Sequence, residues 1–169
     1  MRIWFIDQLA MYAAYHRDRR NKITHFIGVP LIIFSLFIIT WDVYLFDIGN
    51  TPVNLALLLT TILLMLYWYI SPTIGLLLTI DFGIGLWLAS LVVANESISA
   101  FYAFLISFIV GWIIQFVGHG YEGRKPALFD NLLQIFMAPF FLAAEVMFHY
   151  NVLGYLREEI EAQTHKYEK

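Results

Sequence analysis

The chain has 169 residues, 60% of them hydrophobic and 14% charged, with a formal net charge of −3. Soluble domains carry about 25% charged residues, so a fully polar shell is excluded and lipid must cover part of the surface; the mild acidity speaks against a nucleic-acid partner. The absence of cysteine excludes disulfides, thiolate metal sites and cysteine nucleophiles.

Residues 3–15 are apolar and aromatic, interrupted by Asp7 and Gln8. They fall short of the roughly 20 residues that a helical span requires and predict an interfacial helix, leaving through Asp18, Arg19, Arg20 and Asn21. Basic residues come after this stretch instead of preceding it, and no small-residue cleavage site is evident, so a secretory signal is not expected. Residues 26–46 form the first predicted span, with Pro30 in its early turns, and residues 47–52 read as a turn. The second span covers 53–70 and is broken by Ser71-Pro72; the third covers 73–94 with Asp81 inside it; the fourth covers 98–117, with Ser97 or Ser99 as its cap. Residues 132–148 are apolar but contain Pro139 and Glu145, and predict an interfacial or re-entrant helix. The tail from Arg157 is polar and charged. The expected architecture is an all-α, integral membrane helical bundle: one domain over residues 1–169, four transmembrane helices, an N-terminal interfacial helix and a C-terminal interfacial or re-entrant helix.

Arg17, Arg19, Arg20 and Lys22 precede the first span, Arg124 and Lys125 come after the fourth, and the loops around Asp47 and Glu96 have no Lys or Arg. The positive-inside rule puts both basic segments in the cytoplasm, and four spans put them on one side. His16, His25, His119 and Glu122 then share a membrane face.

The candidate chemistry lies there. His16 and His25 are nine residues apart, so on one continuous helix of 3.6 residues per turn they point to opposite faces. They converge only if the chain bends near Arg19-Arg20-Asn21, with Asn21 or Thr24 capping the first span; otherwise they are ordinary interfacial histidines. His119 and Glu122 share a face if helical, but Gly118, Gly120 and Gly123 argue against a regular helix there. A salt bridge from Glu122 to Arg124 is the plain alternative. Glu145 and His149 are four apart; a carboxylate in an apolar run needs a partner, either Arg124 or Lys125 or a functional one. Asp81 is a functional candidate by depth, or a protonated packing residue, and no second charge lies near it for a proton relay. His165 falls in the charged tail. Several histidines with one or two carboxylates suit Fe(II), and less diagnostically zinc or manganese. Neither a Gly-x-Ser-x-Gly elbow nor a nucleotide-binding glycine motif is present.

Two blocks resemble the membrane-bound 2-hydroxy fatty acid dioxygenases of fatty-acid α-oxidation, long classed as a domain of unknown function. The first is Tyr15-His16, Asn21 and Ile23-Thr24-His25 leading to Val29-Pro30. The second runs from Gly111-Trp112 through Gln115-Phe116-Val117-Gly118-His119-Gly120, Glu122, Arg124, Pro126-Ala127-Leu128, Asp130-Asn131 and Gln134 to Ala138-Pro139 and Glu145. The spans between them match only in being apolar. The resemblance implies an Fe(II) dioxygenase that uses dioxygen to shorten a 2-hydroxy fatty acid by one carbon. It makes His16, His25 and His119 the iron ligands, with Glu122 or Glu145 completing the site or holding a ligand histidine. His149 and Asp81 are not part of the pattern. Charge and position suggest Arg124 or Lys125 for the substrate carboxylate. An active site at the cytoplasmic face of a multi-pass protein, in a bacterial inner membrane or the endoplasmic reticulum, would meet the polar end of the lipid without extracting its tail. A non-enzymatic transporter or lipid-binding scaffold using Asp81, and a zinc-dependent lipid hydrolase, are the competing expectations.

Overall fold

A computed structural model describes residues 2–167. Among them are seven α-helices: α1 (Arg2–Ala14), α2 (Arg19–Trp41), α3 (Leu55–Ile70), α4 (Pro72–Val93), α5 (Ala100–Glu122), α6 (Gln134–His149) and α7 (Gly154–Thr164), with strands β1 (Tyr44–Ile48) and β2 (Thr51–Asn54) between α2 and α3. The chain divides into two compact units, Met1–Ile27 with Ile114–Lys169, and Gly28–Ile113.

The second unit shows its solution to the hydrophobic problem on its outside. Met65, Ile80, Ile84, Trp87 and Ile106 are exposed, an arrangement that only an apolar surrounding tolerates over so large an area. Inside, Phe82 packs edge-on against Phe37 at 5.8 Å and tilts against Tyr67 at 6.4 Å. α2, α4 and α5 are long and apolar enough to cross a membrane. α3 has 16 residues, about 24 Å at 1.5 Å per residue, which is short of a hydrocarbon core of roughly 30 Å. Three helices therefore meet the length requirement where the sequence suggested four. Asp81 lies on the exposed face of α4 and is not packed inside the unit.

The purely helical expectation needs a second correction. The stretch read as a turn is an antiparallel hairpin in which Phe46 pairs with Val53 and Ile48 with Thr51. Tyr44, Phe46 and Ile48 favour strand, and Gly49 supplies the positive φ of +62° that the two-residue turn requires. The strand takes over after Trp41, so the first long helix ends earlier than the apolar run does. Asn54 then caps α3 by accepting from the Leu57 N–H at 2.9 Å, and Ser71 with Pro72 starts α4.

The first unit is built on α1. Its Phe5, Leu9 and Tyr12 are buried, with Phe5 edge-on to Phe140 of α6 at 5.0 Å and Tyr12 tilted on Phe141 at 5.0 Å. Its apolar face is thus covered by protein, including α7. The polar tail read from Arg157 onward is largely that helix, held through buried Leu156 and Ile160. α5 continues past the expected end of its apolar run, through Gly118, His119 and Gly120, and stops at Glu122. The glycines do not break it: Gly123, with a φ of +69°, ends it. Gly118 has a packing reason. A Cβ there would strike the Thr24 hydroxyl and come within 2.6 Å of Asn21 Oδ1, so only glycine lets this end of α5 lie against the first turns of α2.

Gly118→Ala should destabilise the protein by about 1–3 kcal/mol through overpacking, read as a lowered denaturant midpoint in detergent. Gly75→Ala should do likewise, because its Cβ would stand 2.9 Å from the Trp68 backbone; a midpoint unchanged in either variant would refute that close approach.

Candidate metal centre

The chain leaves α1 at Ala14 and restarts as α2 at Arg19, and His16 lies in that break. Asp18 caps the new helix, accepting from the Arg20 N–H at 2.7 Å and from its guanidinium; the guanidinium holds the carboxyl down to about 2. The bend expected around Arg19 to Asn21 therefore falls slightly earlier, with Asp18 in the capping role given to Asn21 or Thr24. The effect is the anticipated one: His16 and His25 converge.

His16, His25 and His119 form a triangle of ring centroids 4.5, 5.0 and 5.0 Å apart. They are 2%, 3% and 5% exposed, and one ligand atom from each lies within 4.8 Å of the others. Tyr12 stacks on His16 at 3.9 Å, nearly parallel. His16 Nδ1 donates to the Tyr12 carbonyl at 2.6 Å, and His25 Nδ1 donates to the Asn21 carbonyl at 2.9 Å. A carbonyl only accepts, so in the neutral ring each proton sits on Nδ1 and each Nε2 presents a lone pair. Those two Nε2 atoms face each other at 3.0 Å. Two lone pairs at that separation repel unless a cation lies beside both. Burial, then the neighbouring His25 ring, push the His16 pKa well below its ordinary value, so a proton is a poor candidate for that cation. Two nitrogens bonded to one ion at about 2.1 Å and meeting at a right angle stand about 3.0 Å apart. Among the described residues His119 Nδ1 is buried without a well-formed hydrogen bond, the Arg124 backbone being a candidate partner for the ring. The donor set fits a metal ion.

The other candidates have different neighbours. Glu122 accepts from the N–H groups of Arg17 at 3.1 Å and Asp18 at 2.8 Å and from Asn21 Nδ2 at 3.0 Å. It ties the end of α5 to the bend that carries His16, and reaches His25 through Asn21. Glu145 pairs with Lys22 at 2.9 Å, a partner that spacing did not suggest. Arg124 donates to the Ala14 carbonyl at 2.8 Å and lies 4.9 Å over the Tyr15 ring; Lys125 pairs with Asp130 at 2.6 Å, and Asp130 also accepts from the Tyr15 hydroxyl. Asn131 and Gln134 both donate to Gln8. Residues 124–134 thus fasten the chain to α1. His149 and His165 lie outside the triangle.

Beside His16 lies a cavity of about 530 Å³, walled also by Arg17, Lys22, Phe141, Glu145, His149 and Arg157. Sequence reasoning used Lys22 only for orientation and gave neither Lys22 nor Arg157 a role at the site. Lys22 was legible as a cation three residues before His25, on the same helix face; Arg157 was not, since its helix was not foreseen.

A family model described as 2-hydroxy-palmitic acid dioxygenase Mpo1-like matches residues 4–150. The chain is also similar to the 2-hydroxy-palmitic acid dioxygenase MPO1 of Saccharomyces cerevisiae, 35% identical over 158 residues, which cover 92% of this chain and 86% of the yeast protein. No solved structure matches it. The resemblance seen in the two motif blocks is thereby established, and the chain belongs to the Mpo1-like family of 2-hydroxy-palmitic acid dioxygenases.

Proposed function

We propose that the protein is a membrane-embedded Fe(II) dioxygenase that shortens 2-hydroxy fatty acids by one carbon, with His16, His25 and His119 holding the iron. The observation that carries this is the pair of Nε2 lone pairs 3.0 Å apart, each fixed by a carbonyl behind it and joined by a third buried histidine. Membership of the family supplies the substrate class. Three neutral nitrogens leave positions open on the ion, and a bound Fe(II) supplies activation of dioxygen beside the 2-hydroxy acid. Zinc would sit in the same nitrogens but has no redox chemistry.

The protein's own contribution is arrangement. The carbonyls of Tyr12 and Asn21 set the tautomer and orientation of two rings. Glu122 keeps Asn21 and the bend in place; we assign it this supporting role and not that of a ligand, and Glu145 stands with Lys22. Phe141, Tyr12 and the surrounding apolar side chains keep bulk water from the triangle, while the adjoining cavity admits substrate. The basic residues around Arg17 and Arg124 lie in the same compact unit as the histidines, which supports a site facing the cytoplasm.

After anaerobic loading with ferrous iron, the purified protein should hold about one iron per chain. It should consume oxygen with 2-hydroxypalmitate and release an acid one carbon shorter by mass; iron without oxygen uptake, or no bound iron at all, would favour the scaffold or transporter. His119→Ala should lose both bound iron and activity, and full iron occupancy in that variant would remove His119 from the ligand set. Glu122→Ala should weaken metal affinity roughly 10- to 100-fold, the usual effect of removing a group that orients a ligand. If its loss matched that of His119→Ala, Glu122 would be a ligand after all.

A further inference from the structure

We infer that Lys22 receives the substrate carboxylate and that its ion pair with Glu145 is a latch which that carboxylate opens. This rests on the function proposed above and adds to it a binding residue.

A 2-hydroxy fatty acid makes three demands: a cation for the carboxylate, reach to the metal at the adjacent carbon, and an apolar path for the tail. Lys22 stands where all three meet. It lines the 530 Å³ cavity together with His16. It also lines a second cavity of about 370 Å³ whose other walls include Ile23, Phe26, Val146 and Tyr150. The two share Lys22, Glu145 and His149. The first cavity thus adjoins the histidines, the second offers apolar side chains, and Lys22 belongs to both. Phe141 neighbours both Lys22 and His16, with Lys22 Nζ 5.8 Å from its ring and the His16 ring 6.1 Å from it. Their combined volume is in the range of small-ligand sites.

The remaining cations fit less well. Arg124 is held by a backbone carbonyl and Lys125 by Asp130, and neither lines either cavity. Arg17 and Arg157 line only the first, where Arg157 is paired with Glu161 at 2.7 Å, and Arg19 lines only the second, whose walls do not include His16. The Lys22–Glu145 pair is about a quarter exposed on each side, where an ion pair contributes little net stability, so exchanging one carboxylate for another costs little. Released Glu145 stays in a cavity that Arg157 also lines, although Arg157 is itself paired with Glu161. An acid is admitted by this exchange; a neutral lipid has nothing to offer Lys22 in place of Glu145.

The test compares the full-length wild type with Lys22→Met, Lys22→Arg and Glu145→Gln in detergent, with retained bound iron as the check on folding. Equilibrium binding is measured for 2-hydroxypalmitate and for hexadecane-1,2-diol, which has the same chain and hydroxyl but no carboxylate. Lys22→Met should weaken acid binding about 10- to 100-fold, as expected for a hydrogen bond to a charged group, with the diol unaffected; Lys22→Arg should recover most of the loss. In turnover the change should be larger in KM than in kcat. Glu145→Gln should tighten acid binding by removing the competitor. Unchanged acid affinity in Lys22→Met, equal weakening of acid and diol, or loss of iron in Glu145→Gln would each overturn the latch. So would an acid-selective loss found in Arg124→Ala and not in Lys22→Met. A wild type that turns over the acid while Lys22→Met behaves identically sinks the latch alone; a wild type with neither iron nor turnover sinks the function beneath it.

Discussion

The site depends on two backbone carbonyls. Those of Tyr12 and Asn21 each take the Nδ1 proton of a histidine four residues later, and that alone decides that two lone pairs point at one spot. A histidine left free would choose whichever tautomer avoided the conflict. Here each ring is held at its back, so the repulsion between the Nε2 atoms is built in and a cation relieves it. Both carbonyls come from helical segments, α1 for Tyr12 and the first turn of α2 for Asn21. The same local step, a ring bonding back to the residue four before it, is used on either side of the bend at His16.

The bend itself is held from α5. Glu122 bonds two consecutive N–H groups at the bend and the Asn21 amide, and it sits three residues beyond His119 on the same helix. A continuous route of bonds therefore runs from His25 through Asn21 to Glu122 and along one helical turn to His119. Gly118 permits the approach that closes it, since a side chain there would meet Asn21 and Thr24. Glu122, three residues from His119, thus holds the bend in place and also sets a negative charge near that ring. Positive charge near the histidines comes from Lys22 and the arginines of the adjoining cavity.

Much of this was legible in the sequence, for identifiable reasons. Long apolar runs announce membrane helices whatever their tertiary partners, and the absence of cysteine leaves nitrogen and oxygen as ligands. The convergence of His16, His25 and His119 came from charge bias and family resemblance; of the four spans behind the charge argument, three have the full length and the other, α3, is a shorter apolar helix. Three features were hidden. The first strand of the hairpin begins inside the end of an apolar run, at Tyr44 to Phe46, too short a stretch for its period to separate strand from helix. The glycines around His119 read as helix breakers because the partner that demands Gly118 is about a hundred residues away. α7 is charged on one side and buries only Leu156, Ile160 and Thr164, so its sequence resembles a solvated tail until α1 is placed against it. The partners of Glu122 and Glu145 were misjudged for the same reason: only cations of the second motif block were considered, and the actual partners, Asn21 for Glu122 and Lys22 for Glu145, lie more than a hundred positions away.

On the function proposed above, a metal held by residues 16, 25 and 119 would also couple to folding. None of its three nitrogens is near the others in an unfolded chain beyond what the nine-residue spacing of the first two provides, so an ion binds the folded unit in preference to the unfolded one. Such preference stabilises by about 2.7 kcal/mol when the free ion stands at 100 times its dissociation constant, a sizeable share of the roughly 5–15 kcal/mol that keeps a domain folded. The carbonyl-fixed rings make the coupling stronger in one respect. Without an ion the folded unit carries the Nε2–Nε2 repulsion, and with one the same contact becomes favourable, so the difference adds to the intrinsic affinity of the nitrogens. On that reading, the tautomers fixed by the Tyr12 and Asn21 carbonyls orient the ligands and would also make the metal part of what holds residues 16 and 25 to residue 119.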